Sequence, residues 1–139
     1  MKKYFIDTNL IIDFLAKKPD AIEKITNIAN DEDSELFINR LVNLESLRTI
    51  PMQNSKIFKQ AKEVLEGFEK LEINQEIYEK TIEFSRFFKT KKHQSLKGKC
   101  EAIDLLHFIT AKHYGLELIS YDKDFVKLEL FYSEFLEIK

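Results

Sequence analysis

The chain has a single cysteine, Cys100, in 139 residues. That excludes an intramolecular disulfide and a cysteine zinc cage, and it fits a reducing compartment. Long apolar runs are also missing, so no segment is suited to crossing a bilayer. The two lysines near the N-terminus lead into no apolar stretch of signal-peptide length, and a cytoplasmic location is the expectation. Glycine is scarce, with three in all, which leaves few irregular turns and favours a regular assignment. Neither sign of charge is in large excess. A net charge of −2 excludes a generic polyanion binder, so any contact with nucleic acid needs a local basic patch. Repeats, low-complexity tracts and linkers are absent. What is present suits a soluble globular protein rather than a disordered one: 44% hydrophobic and 33% charged residues. The length is most economically one domain, residues 1–139.

Taken in order, short apolar runs alternate with helical blocks. Tyr4-Phe5-Ile6 reads as a buried strand that ends abruptly in Asp7, and Leu10, Ile11, Ile12, Phe14 and Leu15 follow at helical spacing. Lys18-Pro19-Asp20 is a break, with Asp20 as the cap of a helix bearing Ile22, Ile25, Ile28 and Ala29. Leu36-Phe37-Ile38 is a second strand, and Asn39 caps a helix running to Ile50, where Pro51 stops it. Phe58, Ala61, Leu65 and Phe68 form a core-facing stripe. Leu71-Glu72-Ile73 is a short third strand, and Asn74 caps the helix after it. A helix from about Ala102 to Tyr114 ends on Gly115 in the C′ position, before a fourth strand, Leu116–Ser120. The tail from Leu128 to Ile138 fits either a strand or a helix. Such alternation implies βαβ crossovers and a parallel sheet covered by helices on both faces.

In such a sheet Asp7 and Asp122 both lie at or just beyond the carboxyl end of a strand, on the edge where open α/β sheets bind ligands. Glu45, in the helix after the second strand, and Asp104, in the first turn of the helix before the fourth, can reach the same edge. Two carboxylates about 4 Å apart repel by roughly 4 kcal/mol at an effective dielectric of about 20. Four in one cleft demand protonation or a cation. All-oxygen ligand sets suit hard divalent ions, Mg²⁺ or Mn²⁺ above all, and such an ion activates water and neutralises phosphate charge. Each acid also has a plainer use. Asp7 can cap the helix after it, Glu45 can pair with Arg48, Asp104 can serve the helix dipole, and Asp122 can be a turn residue.

Phe5-Ile6-Asp7-Thr8-Asn9, Asn43-Leu44-Glu45, Asp104 through Ala111, and Leu118-Ile119-Ser120-Tyr121-Asp122-Lys123-Asp124-Phe125 together resemble the PIN domain. The likeness extends over nearly the whole chain, and its size and order look most like the stand-alone VapC-type toxins. The resemblance implies a three-layer α/β/α sandwich around a central parallel sheet of strand order 3-2-1-4-5. It also implies a Mg²⁺- or Mn²⁺-dependent endoribonuclease, with Asp7, Glu45, Asp104 and Asp122 as both metal ligands and catalytic acids. Products would carry a 5′-phosphate and a 3′-hydroxyl. Asn9 matches a position that orients the cluster. Ser120 stands where the family usually has threonine, with its hydroxyl expected to bond Asp7 or the site, and Asp124 is auxiliary. Toxins of this kind dimerise and are silenced by a small antitoxin whose tail covers the acidic rim, so a homodimer and an antitoxin partner are implied as well.

The one strongly basic loop, Lys89–Lys99, precedes Asp104, and Lys91, Lys92, Lys97 and Lys99 are candidate contacts for RNA phosphates. Its plainer reading is a solvated loop. Cys100 has no histidine–acid arrangement beside it and reads as a small buried filler. Other classes compete. A PIN-like module that binds RNA or protein without chemistry is one, and a PIN nuclease of RNA maturation is another. A haloacid-dehalogenase-type phosphatase wants a second acid where Asn9 stands. A receiver-like domain wants an acidic pair before its central aspartate, and none is present.

Overall fold

The structure, a computed structural model, describes residues 2–91, 102–120 and 124–138. Contacts divide the chain into two compact units, Met1–Glu72 with Gly115–Tyr121, and Ile73–Tyr114 with Asp122–Lys139. The first unit contains the whole sheet. Its elements are β1 (Lys2–Ile6), α1 (Thr8–Leu15), α2 (Pro19–Ala29), β2 (Ser34–Asn39), α3 (Arg40–Leu47), α4 (Ser55–Glu66), β3 (Glu69–Leu71) and β4 (Glu117–Ile119). The second holds α5 (Gln75–Lys91), α6 (Ala102–His113) and α7 (Asp124–Ile138).

All strand pairs are parallel, in the order β3-β2-β1-β4. This is the α/β fold and the first four places of the order expected from the sequence; no fifth strand is found among the described residues. Register pairs Phe5 with Phe37 and Leu118. Successive strand residues face opposite sides. The full burial of both Phe5 and Ile6, and the burial of both Phe37 and Ile38, therefore mean that the sheet is covered on both faces. Helices flank it, as a parallel sheet requires.

Local chemistry explains where several boundaries moved. Pro19 itself opens α2 with Lys18 in the cap position, so Asp20 lies in the first turn and meets the helix dipole instead of capping. Asn39 caps α3 through Val42 N–H at 2.9 Å, as expected. That helix ends at Leu47 rather than Ile50, because a residue before proline is pushed out of helical geometry. Asn74 caps α5 through Ile77 N–H at 2.9 Å. β3 lies two residues earlier than expected. It pairs only with β2 among the described residues and has no buried side chain to set its register.

The tail is helical. Leu128, Phe131 and Phe135 of α7 are buried at intervals of three and four. Phe84 of α5 stacks on Phe108 of α6 at 5.8 Å and meets Tyr132 of α7 edge-on at 5.6 Å. Lys112 of α6 ion-pairs with Glu129 of α7 at 2.6 Å and lies over the Phe108 ring. This unit is thus held by an aromatic cluster at its centre.

Two helix ends carry left-handed residues of opposite suitability. Gly115 after α6 has φ 69°, where glycine is at ease. Lys17 after α1 has φ 61° in a Schellman turn, with Lys17 N–H on Phe14 O and Lys18 N–H on Asp13 O. A side chain in that conformation costs about 1–2 kcal/mol. Lys17→Gly should therefore raise stability by roughly 0.5–1 kcal/mol, and Gly115→Ala should lower it by about 1 kcal/mol or more. Urea midpoints of the two variants check the opposite signs.

Candidate active site

β1 and β4 are neighbours although the chain visits β2 and β3 between them, so the sheet changes direction at this pair and opens a crevice beyond their carboxyl ends. Asp7 sits there directly after β1 and Ser120 directly after β4. The Asp7 N–H donates to Ile119 O at 3.0 Å, extending the β1–β4 ladder by one residue. Asp7 is only 2% exposed.

The helix-capping alternative for Asp7 can now be judged. Its backbone does occupy the cap position of α1, and its carbonyl accepts the Ile11 N–H. Its side chain makes no capping hydrogen bond. Asp7 Oδ2 instead accepts the Ser120 hydroxyl at 3.0 Å, across 113 residues of sequence. The hydroxyl expected to reach Asp7 does so.

Glu45 joins through the next residue. Thr8, buried at the start of α1, donates its hydroxyl to Glu45 Oε1 at 2.8 Å, and Glu45 is half-buried on α3. Ser120 thus bonds Asp7, and Thr8, the next residue along the chain, bonds Glu45: two hydroxyl–carboxylate pairs, from the ends of β1 and β4 and from α1 and α3. Burying a carboxylate costs several kcal/mol without such partners, and a hydrogen bond to a charged acceptor contributes about 1.5–3 kcal/mol. Ser120 also meets a cation through its backbone. Lys24 of α2 donates from Nζ to Ser120 O at 3.3 Å.

The other expected residues fall as follows. Asn9 is exposed on α1. Asp104 is half-buried in the first turn of α6 and belongs to the second unit. Asp122, Lys92, Lys97, Lys99 and Cys100 lie outside the described residues. Lys91 closes α5 and Asp124 opens α7, but the side chains of both also lie outside them. Sequence reasoning missed Thr8 and Lys24. Thr8 was legible as a hydroxyl beside the key acid, whereas Lys24 stands 96 residues from its partner and left no local signal.

Among the described residues, no three of His, Cys, Asp and Glu stand close enough to hold a metal ion together. The donors in these two pairs, two carboxylates and two hydroxyls, are all hard oxygens. Mg²⁺ is bound through one or two carboxylates with waters and phosphates completing its shell, so this donor chemistry fits such an ion.

α3 also faces a second feature. Ser46, next to Glu45, is fully buried and lines a groove of about 780 Å³ between α1, α2, α3 and α4. Its walls are largely apolar and include Ile12, Leu15, Ile22, Ile57 and Val64.

A parallel α/β sheet with an acid held at its switch point belongs to the class of open α/β folds that bind ligands there. Within it the PIN domain family model matches residues 4–130, and the chain belongs to that family. Among solved structures, the chain is similar to one from the crystal structure of VapBC2 from Rickettsia felis bound to a DNA fragment from their promoter. The TM-score is 0.67 and the identity 15%, over 90% of this chain and 92% of that one. At that identity the likeness concerns the fold. No curated protein matches the chain.

If the Ser120 hydroxyl holds the Asp7 carboxylate, Ser120→Ala should lower stability by about 1.5 kcal/mol or more. Ser120→Thr, which keeps the hydroxyl, should retain most of it. Denaturant unfolding of the pair, with an unchanged m-value, is the check.

Proposed function

We propose that the protein is a Mg²⁺- or Mn²⁺-dependent endoribonuclease and the toxin of a toxin–antitoxin pair. One observation carries the hydrolytic part. Asp7 is a buried carboxylate at the sheet's switch point, directed by a serine hydroxyl away from the helix it could have capped. Asp7 and Glu45 would hold the ion, with Asp104 and Asp122 completing the acidic set and Asn9 and Asp124 auxiliary to it. Bound there, a divalent ion would lower the pKa of a water and neutralise charge on a phosphate. Ser120 fixes the orientation of Asp7, and Thr8 does the same for Glu45. A carboxylate not engaged by the ion would be left to orient a water and take its proton. RNA phosphates would be met by Lys91, Lys92, Lys97 and Lys99.

The toxin reading is supported by the fold likeness to a VapBC2 structure and by the apolar groove next to α3. It carries with it a homodimer and a small antitoxin that fills the groove and covers the acids. The alternative is a PIN-like module without chemistry.

Cleavage of a panel of structured RNAs with Mg²⁺, Mn²⁺ or EDTA tests the proposal. Wild type should cut with either ion and stop with EDTA. Ser120→Ala should lose about 10- to 100-fold in rate, the usual effect of removing a group that orients a ligand, and Asp7→Asn should lose more. Equal cutting by wild type and Asp7→Asn would place the activity elsewhere. No cutting under any condition would favour the silent module.

A further inference from the structure

Three mid-helix hydroxyls of this chain turn back on their own backbone. Thr81 donates to Ile77 O at 2.8 Å, Thr110 to Leu106 O at 2.7 Å and Ser133 to Glu129 O at 3.1 Å, each across one helical turn. Ser46 of α3 has the Val42 carbonyl at the same spacing and does not use it. Its residue is fully buried, and its Oγ has no hydrogen-bond partner among the described residues. A hydroxyl shut off from water in this way is costly to keep and calls for a reason. Its place supplies one. Ser46 borders the apolar groove walled by Ile12 and Leu15 of α1, Ile22 of α2, and Ile57 and Val64 of α4. Among the described residues that line the groove none is acidic, and Lys17 alone is charged.

We propose that Ser46 is the specificity-determining residue of this groove. It selects a helical segment of the antitoxin whose apolar face carries one hydrogen-bonding side chain, a carboxylate or a carboxamide, where that face meets Ser46 Oγ. The proposal rests on the toxin reading for the identity of the occupant. An apolar groove between helices suits the apolar face of another helix. A wholly apolar face would leave the hydroxyl unpaired in the complex, whereas an acceptor at that point satisfies it. A site with a buried polar group rejects an analogue that cannot pair with it. The absence of acids from the described lining, with Lys17 as its one charge, favours an acceptor that is neutral or negative. Ser46 also follows Glu45 directly. The segment that satisfies it therefore lies one residue along α3 from the acid that Thr8 holds.

The test is selection from a displayed library of helical peptides of about four turns. Each carries leucines at i, i+3, i+4 and i+7, and one of these positions at a time is varied over Leu, Asn, Gln, Asp and Glu. Wild type and Ser46→Ala serve as baits. Ile57→Asp, which puts a charge on the groove wall, marks the peptides that bind there. Affinities of the selected peptides are then compared by fluorescence polarisation. Wild type should select an amide or a carboxylate at one position of the apolar face. Ser46→Ala should bind that peptide about tenfold more weakly, the factor for one buried polar group left without its partner. It should bind the leucine counterpart at least as tightly as wild type does. Wholly leucine winners on wild type would overturn the proposal. Equal affinity of the polar winner for wild type and for Ser46→Ala, with both folded by circular dichroism, would overturn it too. In either case, inhibition of RNA cutting by the bound peptide would leave the toxin reading standing. Absence of any peptide that is lost on Ile57→Asp would overturn the proposal and withdraw the antitoxin from the groove, while metal-dependent cutting by wild type would keep the ribonuclease reading.

Discussion

The structure of the site depends on one carboxylate kept out of water. Asp7 follows two fully buried strand residues and is itself almost fully buried, and an ionised carboxylate in that position is expensive to hold. The compensation is built from the sheet. Because β4 lies beside β1, the ladder continues one residue past β1, and the chain beyond it presents a hydroxyl to the acid. A different strand order would leave that hydroxyl elsewhere. Sheet topology and site chemistry are therefore a single constraint in this molecule.

Hydroxyls position the acids of this site. Asp7 and Glu45 each accept a hydroxyl at 3.0 Å or less, one from the residue that follows β4 and the other from the residue that opens α1. Such donors orient an acid without cancelling its charge. An arginine in either place would neutralise it and compete with a cation for its oxygens. The two carboxylates thus keep their charge while their orientation is set by the framework.

Much of this was legible along the chain, and the parts that were not have physical reasons. The abrupt change from an apolar strand run to helical spacing marked Asp7, and the caps at Asn39 and Asn74 were readable because a cap is a local interaction. Whether Asp7 capped its helix was not readable, since the same residue types suit both uses. β3 drifted because an edge segment with exposed side chains carries little pattern. The helical period of the tail was hidden by apolar residues on its open face, Val126, Leu130, Leu136 and Ile138 among them. Lys24 could not have been found, because only the folded crossover brings α2 to the end of β4.

The distance in sequence between Asp7 and Ser120 has a consequence for synthesis. The partners are 113 residues apart, and ribosomes add roughly 5–20 residues per second. On the order of ten seconds separates the emergence of the acid from that of its hydroxyl. Nascent chains therefore leave the ribosome without an assembled centre. The Ser120–Asp7 pair therefore closes only after most of the polypeptide has been made.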